Sequence, residues 1–121
     1  MNKTEQFIEN SWEKCVNQNR NDDGTLIGLP YPYTVPAVGR FDEIYYWDTY
    51  FTNVGLILCG RDELAKNNTY NLLYMADRFG FVPNGNRTYY LTHSQPPFLS
   101  EMVSDIYKIY RDRVWLSGAY K

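Results

Sequence analysis

The sequence predicts an all-α chain built of helical hairpins, with one short β-hairpin near residues 81–92. Three observations point there. Phe7, Ile8, Trp12, Cys15 and Val16 recur at three- and four-residue spacing, the period of one helical face. Two later apolar runs are closed by Gly60 and Gly80, residues that stop helices because they adopt the left-handed backbone without strain. The connections between these runs are long and rich in polar and aromatic residues, and loops of that kind at one end of a helical array build sites.

The first helix is expected over residues 4–18, ending at the polar, turn-rich stretch Asn17 to Gly24. From Leu29 to Gly39 three prolines interrupt the chain. Proline lacks a backbone donor and pushes its predecessor out of the helical region, so this stretch is an extended strap. A second helix is expected from Asp42 or Glu43 to Cys59, its early acids favoured by the helix dipole. Its latter half, Tyr50 to Leu58, is apolar nearly all round and is expected to be buried. A third helix runs from Asp62 to Phe79. Pro83-Asn84-Gly85 ahead of Thr88-Tyr89-Tyr90-Leu91 suits the short hairpin. Pro96-Pro97 marks the first turn of a last helix, where proline is tolerated, burying Phe98, Met102, Val103, Ile106 and Ile109.

Length and composition exclude several classes of function. At 121 residues the chain is the size of one small domain. Net charge is −2 and the signs are interspersed, with no basic run longer than Arg111-Asp112-Arg113, so no surface tracks phosphates and no nucleic-acid partner is expected. A single histidine, His93, is too few for a histidine-based metal site, and no metal or organic cofactor is expected. Cys15 and Cys59 read as reduced, small and apolar. The apolar run Val54 to Gly60 is too short to span a bilayer, no leader pattern opens the chain, and the expected location is cytoplasmic. Three Asn-x-Ser/Thr triplets, at Asn2, Asn67 and Asn86, would matter only in a secretory protein.

The chemistry is concentrated in three strings. Val35 to Tyr50 holds Arg40, Asp42, Glu43, Trp47 and Asp48 among five aromatics. Gly80 to Arg87 holds Asn84, and His93-Ser94-Gln95-Pro96-Pro97 follows. Aromatics make up 17% of the residues, with twelve tyrosines, more than a core of this size needs, which suits a recognition surface. Sugars offer C–H faces to rings and hydroxyls to carboxylates and amides, so sugar handling is the leading reading. Each feature also has a plainer reading. Trp47-Asp48 can be a helix start with a solvated acid. Arg40 can pair with Asp42 or Glu43. Asn84-Gly85 can be only a tight turn, and His93 a loop residue bonded to backbone. The tyrosines at 45, 46, 89 and 90 read more readily as packing than as binding groups. Asp42 and Glu43 do not serve as a catalytic pair, because adjacent helical side chains diverge by about 100°.

These strings closely resemble the trehalase family of glycoside hydrolases, over about residues 30–115. The family's signature Pro-Gly-Gly-Arg-Phe-x-Glu-x-Tyr-x-Trp-Asp-x-Tyr is followed from Pro36 to Tyr50 except at Ala37 and Val38. Gly80 to Gly85 and Ser94 to Pro97 match two further family strings. The resemblance implies part of an (α/α)6 toroid with its site at the mouth of the ring. It implies that Arg40, Trp47, Asp48 and Asn84 hold a sugar, with His93 and Gln95 behind them. The implied partner is trehalose or a related α-glucoside, cleaved with inversion.

Two departures qualify what the resemblance implies. His93 stands where the family has an arginine in its sugar site, which puts preference for trehalose itself in question. Inverting glycosidases also need an acid and a base with carboxyls roughly 6.5–9.5 Å apart, and the family strings that carry both are not found in these residues. No catalytic residue is therefore expected in this chain. Residues 114–121 open an amphipathic pattern without a closing cap. The expectation is a single domain over 1–121 that is the incomplete N-terminal portion of such a hydrolase, with self-association through exposed helix faces. The alternatives are a non-enzymatic carbohydrate-binding module and a truncated remnant.

Overall fold

The computed structural model describes residues 3–36, 43–91, 94, 97–111, 113, 115 and 116, apart from the side chains of Glu9 and Glu13. Four α-helices dominate: α1 Lys3–Ser11, α2 Tyr46–Leu58, α3 Asp62–Phe79 and α4 Leu99–Tyr110. Two-residue strands β1 Val16–Asn17 and β2 Tyr33–Thr34 pair antiparallel. Short 3₁₀ turns lie at Glu13–Cys15 and Thr88–Tyr90. The mostly helical class is the predicted one.

Helix α3 keeps its predicted bounds because its signals are local. Asp62 and Glu63 sit in its first turn and Arg78 in its last, each sign suited to that end of the dipole. Gly80 ends it at φ 81°, its N–H donating to the Ala76 carbonyl over 2.8 Å. Around α3 pack α2, α4 and β2. The main core gathers Leu29, Tyr33, Ile44, Leu72, Met75 and Met102, all at most 1% exposed. A second cluster joins Leu56, Ala65 and Ile106, with Trp12 and Trp115 against its edge.

The proline-rich strap is extended, as expected, and it is tied down by amides rather than by apolar contact alone. The Asn71 side chain accepts from the Tyr31 N–H at 3.1 Å and donates to the Tyr31 carbonyl at 2.9 Å. Asn68, fully buried, accepts from the Thr34 N–H and donates to Thr34 Oγ1 and Asn53 Oδ1. Asn53 in turn donates to Thr69 Oγ1, which donates to the Ala65 carbonyl. Every member of this α2–α3–strap network is partnered, which is the condition under which buried polar groups do not destabilise a core.

Several boundaries differ from expectation. Helix α1 ends at Ser11 rather than 18, because the following residues leave the helix to pair with the strap, with the Val35 N–H donating to the Cys15 carbonyl. Phe7 and Ile8, expected on its buried face, are exposed. Helix α2 begins at Tyr46 rather than at Asp42 or Glu43. Glu43 and Ile44 are held outside it by Arg87 and by the Asn86 side chain. Its inward face is Tyr46, Thr49, Asn53 and Leu56, so Phe51, Val54 and Leu58, expected to be buried, point outward.

The hairpin expected over 81–92 does not form among the described residues. That segment pairs across the fold, through single bridges from Gly85 to Tyr45 and from Arg87 to Leu26, and then turns into the 3₁₀ segment. Helix α4 starts at Leu99, one residue after Phe98, which is half-buried. It buries Met102, Val103 and Ile106 as predicted and leaves Ile109 exposed. Cys15 and Cys59 are free and half-buried. Among the described residues no helix is long and apolar enough to cross a membrane.

Candidate functional site

The site is assembled where the start of α2 meets the turn Val82 to Arg87. The Asn84 carbonyl accepts from the Tyr46 N–H at 3.2 Å, one residue before Trp47 and two before Asp48. This bond satisfies one of the backbone donors that every helix start leaves unpaired. Gly85 lies against Ile44: a Cβ there would meet the Ile44 carbonyl oxygen and the Tyr90 ring at 3.2 Å. Asn86, fully buried, fixes the register with its side chain. Its Oδ1 accepts from the Ile44 N–H at 2.9 Å, and its Nδ2 donates to the Ile27 carbonyl at 3.1 Å and to the Tyr33 hydroxyl at 3.3 Å. A glycan cannot sit on that side chain.

Behind the turn lies a polar cluster. Glu43, 7% exposed, accepts from Arg87 Nε at 2.8 Å on one carboxylate oxygen and from the Tyr45 hydroxyl at 2.9 Å on the other. Arg87 also donates to Thr25 Oγ1. The Tyr45 and Tyr90 hydroxyl oxygens stand 3.4 Å apart, and their rings meet edge to face. Burial above all, and donation of its proton to Glu43, push the Tyr45 hydroxyl well above the usual tyrosine range. Burial likewise raises Tyr46, opposed by the Leu99 N–H that donates to its hydroxyl.

On the outer side is an aromatic surface. Trp47 and Phe51, 40% and 56% exposed, meet edge to face at 5.8 Å. Phe51 also touches Tyr50 and Phe98, which stack face to face at 4.8 Å. Among the described residues a cavity of about 470 Å³ is lined by Asn84, Tyr89, Tyr90 and Ser94, within the roughly 300–1,000 Å³ range of small-molecule sites. Ser94 is tied to the turn by its hydroxyl, which donates to the Val82 carbonyl at 2.7 Å.

Of the sequence-predicted site residues, Trp47, Asp48 and Asn84 come together at this junction, Asn84 in the cavity wall and the other two on the adjoining first turn of α2. Arg40, His93 and Gln95 lie outside the described residues. Asn84-Gly85-Asn86 is more than a tight turn, since each of its residues makes a long-range contact. Sequence reasoning missed the Glu43–Arg87 pair and gave Tyr89 and Tyr90 to packing. The pairing of Arg87 with Glu43 had a signal, an unassigned arginine three residues after Asn84, but nothing local named its partner 44 positions away. Among the described residues no group of three His, Cys, Asp or Glu could hold a metal ion.

The profile of the family described as Trehalase matches residues 1–119. A periplasmic trehalase of Xanthomonas campestris pv. campestris (strain B100) is 48% identical over 100 residues, which are 81% of this chain and 17% of that protein. A periplasmic trehalase of Pseudomonas aeruginosa is 51% identical over 79 residues, 65% of this chain and 14% of that protein. Among solved structures, neutral trehalase Nth1 from Saccharomyces cerevisiae matches with a TM-score of 0.67 and 37% identity, covering 74% of this chain and 17% of that one. The chain thus spans about a sixth of the length of the relatives it matches. The expected cytoplasmic location is overturned by the bacterial relatives, which are named as periplasmic enzymes.

Proposed function

We propose, from the premise that this chain belongs to the trehalase family of glycoside hydrolases, that it is the sugar-holding portion of an enzyme that hydrolyses trehalose or a related α-glucoside with inversion. The observation that carries this reading is the bond from the Tyr46 N–H to the Asn84 carbonyl, which sets the two signature strings side by side. In the proposed complex the Trp47 ring lies on the apolar face of a pyranose, and Asp48 accepts from neighbouring hydroxyls in charge-assisted bonds. Asn84 donates and accepts at the cavity wall. Arg40, His93 and Gln95 complete the half-site.

The acid and base that inversion requires are proposed to come from sequence outside these 121 residues, since the matched Xanthomonas relative, of which 100 residues are 17%, is about five times as long as this chain. The relatives' naming supports a periplasmic location for this protein as well.

The test is titration calorimetry with trehalose and with glucose, on the protein expressed from its complete reading frame. Saturable trehalose binding that Trp47→Ala and Asp48→Asn each weaken by about tenfold or more, with hydrolysis in the native protein, supports the reading. Binding without hydrolysis would leave a carbohydrate-binding module, and no binding of either sugar would overturn the reading altogether.

A further inference from the structure

The polar cluster behind the turn has a direction. A carboxylate only accepts hydrogen bonds. Both Glu43 oxygens are engaged, one by Arg87 Nε and the other by Tyr45, so the single Tyr45 proton is committed to Glu43. The Tyr45 oxygen still has lone pairs, and the Tyr90 oxygen is 3.4 Å away. With the Tyr45 proton already used, that contact runs one way, with Tyr90 donating. The Tyr90 proton is therefore turned inward, and Tyr90 also lines the cavity shared with Asn84, Tyr89 and Ser94.

We propose that Tyr90 is a specificity-determining residue of the sugar site, offering its hydroxyl oxygen as an acceptor to a hydroxyl of the bound sugar. The polarity is set by Glu43 through Tyr45, and Arg87 balances the carboxylate charge. Glu43 and Tyr45 are thus positioning residues. The 3.4 Å separation is long for a hydroxyl bond. It shortens on binding, because a hydroxyl that accepts a bond becomes a better donor itself. The Tyr89 ring, 54% exposed and 4.7 Å from Tyr90, adds an apolar wall beside the acceptor. The inference rests on the reading that this site holds a sugar and goes beyond it by naming a hydroxyl donor as the group that is read.

The experiment is calorimetry with trehalose and its monodeoxyfluoro analogues, in which fluorine replaces a donor with a weak acceptor. It uses the protein from its complete reading frame. The wild type is expected to reject one analogue by about tenfold relative to trehalose. Tyr90→Phe, which keeps the ring packing, is expected to lose about tenfold on trehalose and to bind that analogue and trehalose alike. Glu43→Gln, with Tyr90 intact, is expected to blunt the same discrimination, an effect that loss of packing alone would not produce at one sugar position. An unchanged analogue profile in Tyr90→Phe, while Trp47→Ala still weakens binding by about tenfold or more, would overturn this inference and leave the sugar reading standing. Failure of the wild type to bind either trehalose or glucose would overturn both.

Discussion

Arg87 Nε lies 2.8 Å from Glu43 Oε1, joining the turn after Asn84 to the residue that precedes α2 by three positions. The Glu43 side chain is 10% exposed and that of Arg87 25%, so neither charge is well hydrated if the other is removed. Breaking a pair of this kind from one side leaves an uncompensated charge. We expect Arg87→Met to cost about 2–3 kcal/mol, below the full range for a deeply buried pair. The double variant with Glu43→Gln should recover part of that loss, with a coupling of about 1–2 kcal/mol. Urea unfolding of the four proteins in the cycle measures it, and strictly additive losses would mean that the pair does not hold the turn.

Asn86 is the second fastening of the same turn. Truncating it strands the buried Ile44 N–H and leaves the Ile27 carbonyl to the Asn19 amide, which also donates to it. Asn86→Ala should cost about 2–3 kcal/mol, the desolvation penalty of the groups left behind rather than the worth of one bond. Proton exchange at the Ile44 amide should accelerate by more than at α3 amides. Equal acceleration throughout would show that Asn86 supports the whole fold and not this junction.

These two residues also explain what was legible beforehand and what was not. The bounds of α3 could be read because its signals, Asp62 and Glu63 at one end and Gly80 at the other, lie within the helix or beside it. The start of α2 could not. Glu43 looks like a first-turn acid, yet its partners are Arg87 and the Tyr45 hydroxyl, and the N–H of Ile44 is taken by Asn86 from 42 residues away. The hairpin failed for the same reason, since Gly85 and Arg87 found partners in Tyr45 and Leu26. Asn68 and Asn71 in the middle of α3 were an unread signal: amides within a helix that face inward imply backbone to be satisfied, here the strap's. Within the site, aromatic and polar types at Trp47, Asp48 and Asn84 were visible, but the relay from Glu43 to Tyr90 needs the folded chain.

Gly85 tests how tightly the turn must seat. A methyl group there would stand 3.2 Å from the Ile44 carbonyl oxygen and from the Tyr90 ring, closer than nearly all such contacts. The carbonyl belongs to backbone pinned by Asn86, so the ring is the part that yields. Gly85→Ala should cost about 1–2 kcal/mol, as overpacking does, and should change the near-ultraviolet circular dichroism of the tyrosines. A stability equal to the wild type with an unchanged spectrum would show the turn to be looser than described.

Asp22 gives the fold an acid-dependent contribution away from the site. Its carboxylate takes two bonds from Arg78, at 3.2 and 2.9 Å, and one from the Gly28 N–H at 2.7 Å. Arg78 first, and then the Gly28 amide, lower its pKa from 3.8 to about 2. A carboxyl whose folded pKa is depressed binds protons more readily when unfolded, so its contribution is present above about pH 4 and is lost as pH falls through about 2. Both side chains are more than a third exposed, at 52% and 38%, so solvent screening keeps the stabilisation below about 1 kcal/mol. Asp22→Asn retains an acceptor for the Gly28 amide and removes the charge. The difference between wild type and variant in urea unfolding should therefore be largest at pH 6 and close by pH 2. A gap that stays constant across that window would assign the effect of Asp22 to its shape and not to its ionisation.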